Sequence, residues 1–444
     1  MKKWIAIGTT LLALVGCTKT EAPAPTKDAP KAAEAAPAFK FDKGVDAANK
    51  RIRIGTLNDE SGPAAAIGKP FAIGKRILAA QINAGGTKLL PEGWTIELIE
   101  KDHGYDPGKA QQSYNAIKDD ILLIGTSFGT PATLPLRPFL EKDGIVAFPA
   151  SLSSQIAENA YTPPVGPPYT FEAMRAMDWA VEQAGGAANV KAGIIYDQTD
   201  YGKDGLDGWK AAAAHHGVTL VADRAIKPGQ KDFTAEVAAL KEAGATHVLM
   251  TILPSSTGPV LGTAAQMQFA PIWIGQTPSW VDAFFAHPKL PPPVFATFYW
   301  VNGLPFWGEK LPGMDAFLAA YEKHGKDLGK PDFYTLMSYV QGLVEVEAAR
   351  RAIEAGDITR AGYMKALRSI DNFDGGGIMQ PINLTKVPYV TGRLTRILQP
   401  DFEAKTWKSI ADYAEPKAAG APAAPTEAAP PAEAAPAEAA PPGE

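Results

Sequence analysis

Cysteine is almost missing from this chain. Cys17 is the single one among 444 residues, so no internal disulfide can staple the fold. A strong charge of one sign is also missing. The formal net charge is −5, and no segment has the basic character that a nucleic-acid surface needs. Beyond the N-terminal segment, no apolar run reaches the roughly 20 residues of a membrane-spanning helix. The six histidines show neither H-E-x-x-H nor zinc-ligand spacing, so no metal is expected. There is no G-x-G-x-x-G after the first strand and no G-x-S-x-G elbow, so no cofactor is expected. Residues 68–75 have the flavour of a phosphate loop. Their glycines are one residue too far apart, Arg76 stands in place of Ser/Thr, and the stretch lies inside a helical pattern. The sequence therefore predicts no enzyme. Asp102-His103, after a strand, is the one pair that could move a proton, and no nucleophile accompanies it.

What is present begins at the N-terminus. Lys2 and Lys3 precede an apolar run over 4–15, and Val15-Gly16 lead to Cys17. A basic start, a short apolar core and small residues at a cut site describe an export signal. The placement of Cys17 resembles the lipobox of bacterial lipoproteins. That resemblance implies cleavage before Cys17, lipidation of its sulfur, and a periplasmic or cell-surface protein anchored to a membrane. Residues 21–38 and 418–444 are dominated by Ala and Pro with Lys, Glu or Thr. They lack the aromatic and β-branched residues that offset chain ordering, and they read as a tether and a solvated tail.

Between about 39 and 415 the pattern alternates. Strands are expected at 51–57, 95–100, 121–125 and 145–148, with helices at 66–82, from Asp106-Pro107 onward, and at 134–142. After a proline-rich break at 163–168, helices are expected at 171–184, 205–216 and 233–243. Strands are expected at 192–196, 218–222, 247–252 and 272–275. A strand at 295–300 reads as leaving this second series. Helices near 314–324, 333–355 and 360–370 follow, then β-like segments at 381–384 and 394–399. Repeated strand–helix–strand units mean an α/β chain with parallel sheets. Two series mean two doubly wound lobes, with the late helices returning to the first. The resulting division is a signal at 1–16, a tether at 17–40, lobe 1 at 41–168 and lobe 2 at 169–299. A return to lobe 1 at 300–390, a return to lobe 2 at 391–415 and a tail at 416–444 complete it.

Ligands of parallel sheets bind beyond the carboxyl ends of the strands. Ser127, Phe128, Gly129 and Thr130 follow one such strand, and Ala150, Ser151 and Ser153 follow its neighbour. In the second lobe Tyr201 and Thr277 stand at corresponding ends. Small residues, hydroxyls and free amides at a helix start suit a carboxylate. These are the candidate ligand-binding residues.

With its Ser61-Gly62-Pro63 opening, the Asp106-Pro107 helix start, the Gly129-Thr130-Pro131 loop, Asp143-Gly144-Ile145 leading to Pro149-Ala150-Ser151, Asp197 to Gly202, and Phe373-Asp374-Gly375-Gly376, the chain resembles the type I periplasmic solute-binding proteins, in the leucine/isoleucine/valine-binding branch. The resemblance covers roughly 52–413. It implies two lobes joined by three crossovers, closing on a solute and delivering it to an ABC permease in the inner membrane. It matches Gly129 or Thr130 to the ligand-carboxylate serine, and Ala150 with Ser151 or Ser153 to the second loop of that site. Tyr201 matches an aromatic that covers the ligand. Thr277 stands where amino-acid binders place a glutamate for the ammonium group, and Ile67 and Leu253 where they use tyrosines. The expected solute is thus a small carboxylate, either an amino acid or an amine-free aromatic or organic acid, with Phe128, Trp280 or Trp300 as candidate walls for the latter. A monomer is expected. The competing reading is a receptor component that presents the bound solute to a membrane sensor.

Overall fold

The structure is a computed structural model, and it describes residues 39–419. The expected signal at 1–16, the expected tether up to residue 38, Cys17 included, and the expected tail from 420 onward lie outside the described residues.

Two parallel-centred sheets organise the chain. In the first, Arg51–Asn58 is central, with Thr95–Asp102 on one side and Leu123–Phe128 then Ala147–Ala150 on the other, all parallel. A short antiparallel strand, Val45–Asp46, pairs with its start. In the second sheet, Thr219–Ile226, Lys191–Asp197, His247–Thr251, Ile272–Gly275 and Phe298–Asn302 run parallel in that order. Thr395–Asp401 and Thr406–Ala414 extend it as an antiparallel pair. Lys40–Phe41 pairs separately with Asp357–Ile358. Leu123–Phe128 and His247–Thr251 are buried along their whole length, as strands covered on both faces must be.

The helix Phe333–Glu354 has 18 of its 22 residues buried. A helix apolar on nearly every side belongs inside a protein. Leu336, Val340 and Val344 share one core with Ile54, Ile73 and Ile77, so the late chain packs on the first sheet and on the helix Ala65–Asn83. Three connections thus join the lobes: one after Ala150, one after Asn302 and one before Thr395.

Several expectations need correction. The strand expected to leave the second series does not: Phe298–Asn302 pairs in parallel with Ile272–Gly275, and the exit lies after it. Thr406–Ala414 was unforeseen, because it shows almost no alternation: Trp407 is its single buried residue. The segment 134–142 begins as one 3-10 turn, Leu134–Leu136, before the helix Arg137–Asp143; Pro135 and Pro138 withhold two of the donors a continuous α-helix would use. The strand expected at 121–125 runs instead over Leu123–Phe128. The helix expected from 205 starts at Asp200, because the Thr199 hydroxyl caps the N–H of Gly202. Its glycines serve packing: a Cβ on Gly208 would sit 2.5 Å from the Thr170 carbonyl oxygen.

Candidate functional site

Three strand ends of the first sheet converge with elements of the second lobe on one crevice. Its mouth and interior together enclose about 440 Å³ of atom-free space, part of it open solvent. Strand Leu123–Phe128 ends in Gly129, whose φ of 87° and ψ of 139° suit glycine alone. That turn sends Thr130 into a single helical turn, Thr130–Thr133, and Gly129 donates its N–H to the Ala150 carbonyl (3.2 Å). Thr130 Oγ1 and Ser151 Oγ lie 2.6 Å apart, both buried. Each hydroxyl has one proton and spare lone pairs, so the pair can direct a donor toward a solute oxygen.

Around this polar edge the lining is aromatic and aliphatic. Ile67 and Phe71 come from the helix Ala65–Asn83, Phe128 from the strand end, and Tyr105 from the loop after Thr95–Asp102. The second lobe contributes Tyr169, Tyr201, Leu253, Thr277 and Pro278, and Tyr334 with Met337 close the far side. The rings of Tyr169 and Tyr201 meet at 4.9 Å, tilted by 65°. Tyr334 donates its hydroxyl to the Thr277 carbonyl (2.7 Å). An apolar cluster containing Ile67, Phe71, Phe128, Tyr201, Leu253 and Tyr334 runs without a break from one lobe to the other.

Among the described residues, no Asp, Glu, Lys, Arg or His lines the crevice. Glu172 stands behind Thr277. Thr277 donates its N–H to Glu172 Oε2 (3.0 Å) and its hydroxyl to Oε1. Burial pushes the Glu172 carboxyl up to about 8, so near neutral pH it is mostly uncharged. Asp197 accepts the Leu253 N–H (3.2 Å), and burial raises it to about 7.

Seven of the nine candidate residues therefore meet here: Phe128, Gly129, Thr130, Ala150, Ser151, Tyr201 and Thr277. Two stand apart. Ser127 turns its hydroxyl to Thr133 Oγ1 (2.8 Å) inside the lobe, because Ser127 and Phe128 belong to the strand, whose side chains alternate. Ser153 sits beyond the lining, with its N–H on Ser151 Oγ (3.3 Å) and its own hydroxyl buried without a partner. Trp280 and Trp300 are not walls. Both are buried around Trp407, at 4.6 Å between ring centroids in each case.

Sequence reasoning missed Phe71, Tyr105, Tyr169, Tyr334 and Met337. Tyr169 directly follows the proline-rich break, and Tyr334 opens a helix capped by Asp332, so both stand where a chain crosses between lobes. Tyr105 is the unexpected product of Asp102-His103. The buried His103 accepts the Tyr105 N–H on Nδ1 (3.0 Å), and Tyr105 takes a left-handed φ of 65°. Burial lowers the His103 pKa, consistent with a neutral ring that orients a turn.

A family model described as periplasmic binding protein matches residues 51–396. Leu/Ile/Val-binding protein homolog 3 of Brucella melitensis biotype 1 is 30% identical over 211 residues, which is 46% of this chain and 55% of that protein. The chain spans about half the length of the curated relatives it matches. A solved structure, a fatty acid ABC transporter substrate-binding protein from Thermomonospora curvata, aligns with a TM-score of 0.79 at 26% identity, covering 87% of this chain and 97% of that one. A branched chain amino acid ABC transporter structure from Thermus thermophilus with bound valine aligns with a TM-score of 0.73 at 18% identity, over 83% of this chain and 98% of that one. The second likeness is one of fold.

Proposed function

Because the chain belongs to the periplasmic binding protein family and has the type I fold of two α/β lobes, we propose that it captures a small carboxylic acid between its lobes and passes it, chemically unchanged, to an ABC importer. The observation that carries the reading is the Thr130–Ser151 hydroxyl pair at the edge of an otherwise aromatic and uncharged crevice. The hydroxyls and nearby main-chain N–H groups hold the carboxylate, and the rings bury an apolar body.

The lining disfavours an α-amino acid. A buried ammonium needs a carboxylate partner, and leaving it unpaired costs several kcal/mol or more. Glu172, the acid behind Thr277, is engaged by Thr277 and kept mostly neutral by burial. An amine-free acid with an aromatic or aliphatic body fits better. The fatty acid named for the Thermomonospora curvata protein is one such acid, whereas the Brucella melitensis relative is named for amino acids.

Mass spectrometry of solute carried through purification, followed by thermal shift against aromatic acids, medium-chain fatty acids and branched amino acids, tests this. Stabilisation by an amine-free acid is the expected result; stabilisation by amino acids alone would reverse the assignment. With the acid that gives the largest shift, Thr130→Ala weakens binding by about 1–3 kcal/mol, or roughly 5- to 150-fold, by removing a hydrogen bond to a charged group. An unchanged affinity by calorimetry would remove Thr130 from the site.

The order Lys2-Lys3, apolar 4–15 and Cys17 supports a lipid anchor on Cys17 that keeps the lobes at a membrane surface. In cell fractionation, Cys17→Ser moves the protein to the soluble fraction; a variant that stays with membranes refutes the anchor.

A further inference from the structure

Outside the crevice, a buried acid, Asp204, joins the lobes directly. Asp204 lies in the second turn of the helix Asp200–His216, on the second lobe, and is 4% exposed. Its carboxylate accepts two bonds from one residue of the first lobe. Ser154 donates its N–H to Oδ1 and Oδ2 (3.2 and 3.1 Å) and its hydroxyl to Oδ1. Ser154 opens the short helical turn Ser154–Glu158, which follows the strand Ala147–Ala150. That turn is anchored to the first lobe, since Thr162 Oγ1 donates to the Ile156 carbonyl (2.8 Å) and Tyr161 accepts the Ala147 N–H (2.8 Å). Other contacts also bridge the lobes: at the crevice the Tyr334 hydroxyl donates to the Thr277 carbonyl (2.7 Å), the Phe333 N–H donates to Asp282 Oδ2 (2.8 Å), and the exposed Ser255 hydroxyl, at the start of the helix Pro254–Gln266, donates to the Pro63 carbonyl (3.1 Å).

We propose that Asp204 and Ser154 form a latch between the two lobes, and that they are positioning residues for solute capture: neither lines the crevice, yet the bond between them helps set how readily it opens. This rests on the solute-capture reading for its role, though not for its geometry. Tyr201 precedes Asp204 by less than one turn of the same helix, and Ser151 precedes Ser154 by three residues. The latch therefore fixes the two segments that bring Tyr201 and Ser151 to the same crevice. Burial of Asp204, which pushes its carboxyl up to about 7, reports that water is kept from this junction. Parting the lobes would hydrate the carboxylate and free the Ser154 N–H. A bond to a buried carboxyl counts for more than the Ser255 contact, whose donor is exposed and can exchange its partner for water.

Hydrogen exchange of the peptide 152–158, together with small-angle scattering, tests the latch on dialysed protein without added solute. In Asp204→Ala, exchange at the Ser154 amide speeds up by about tenfold or more and the radius of gyration rises, as expected when the buried bonds from Ser154 are lost from a local opening equilibrium. Asp204→Asn keeps an oxygen for the Ser154 N–H and an amide for its hydroxyl, so it stays near wild type. Ser255→Ala changes neither quantity measurably. Should Asp204→Ala fail to fold by circular dichroism, Ser154→Ala, which removes only the hydroxyl bond, is read in its place and speeds exchange by a smaller factor. Wild-type exchange and scattering in the folded variant would overturn the latch. Thermal shift of wild-type protein with phenylacetate and octanoate is read separately. Its failure would count against the acid solute and leave the latch standing, and the reverse holds for unchanged exchange.

Discussion

Lys75→Met lowers the stability of the folded chain by about 3–5 kcal/mol, the cost of leaving a buried charge without its partner. Lys75, on the helix Ala65–Asn83, and Glu345, on the helix Phe333–Glu354, form an ion pair in the core of the first lobe, with side chains only 2% and 1% exposed. Glu345 Oε1 accepts the Lys75 ammonium, while Oε2 has no partner. Burial already pushes the Glu345 carboxyl up to about 7 against the pull of Lys75. With the ammonium removed, nothing opposes that rise. A carboxyl raised in the folded state stabilises below its ordinary range and loses that contribution as pH climbs, so the deficit of the variant grows between pH 5 and pH 8. Urea unfolding at the two pH values measures it. The double variant Lys75→Met, Glu345→Leu recovers most of the loss, since a well-packed apolar pair often replaces a buried ion pair at little cost. A single variant within about 1 kcal/mol of wild type at pH 8 would show the pair to be energetically idle. The pair also touches the site at one remove. A Cβ on Gly125 would lie 2.6 Å from Glu345 Oε2, so the strand that delivers Gly129 and Thr130 lies directly against this carboxyl.

Gly129→Ala abolishes solute binding and lowers stability by about 2–4 kcal/mol, the sum of backbone strain and overpacking. At φ 87° and ψ 139°, a side chain of any kind is strained. A methyl group there would also sit 2.5 Å from the ring of Tyr105. Tyr105 cannot easily yield, because its own left-handed turn is held by His103 and its ring packs edge-on against Phe128 at 6.2 Å. The backbone would shift instead and draw Thr130 away from Ser151. Calorimetry with the stabilising acid and urea unfolding report the two losses separately. A variant that binds like wild type would mean that the crevice does not depend on this turn.

Much of this was legible before any coordinates. The alternation of strand and helix, the break at 163–168 and the capped start at Asp106-Pro107 reflect local physics. Period, chain stiffness and capping are written in neighbouring residues, and Asp106 does accept the Lys109 N–H (2.8 Å). Strand ends in parallel sheets lie on one side, so Gly129, Thr130 and Ser151 could be placed together from spacing alone. Local physics also misled. The stretch 200–204, with Gly202, read as loop, yet the helix already begins at Asp200, and Gly208 lets that helix approach Thr170 and Ala173 of its neighbour closely. The apolar, aromatic segment at 295–300 read as departing, yet it pairs within the second sheet.

The sequence by itself determined the class of fold, the order of its elements and the hydroxyl edge of the crevice, because those depend on residues close together along the chain. Only the tertiary structure decided the rest: the tyrosines at 105, 169 and 334 that make the lining aromatic, the burial that leaves Glu172 mostly neutral, and the bond from Ser154 to Asp204. Each depends on groups far apart in sequence meeting where water is excluded, and neither proximity nor dielectric environment is carried by any single segment.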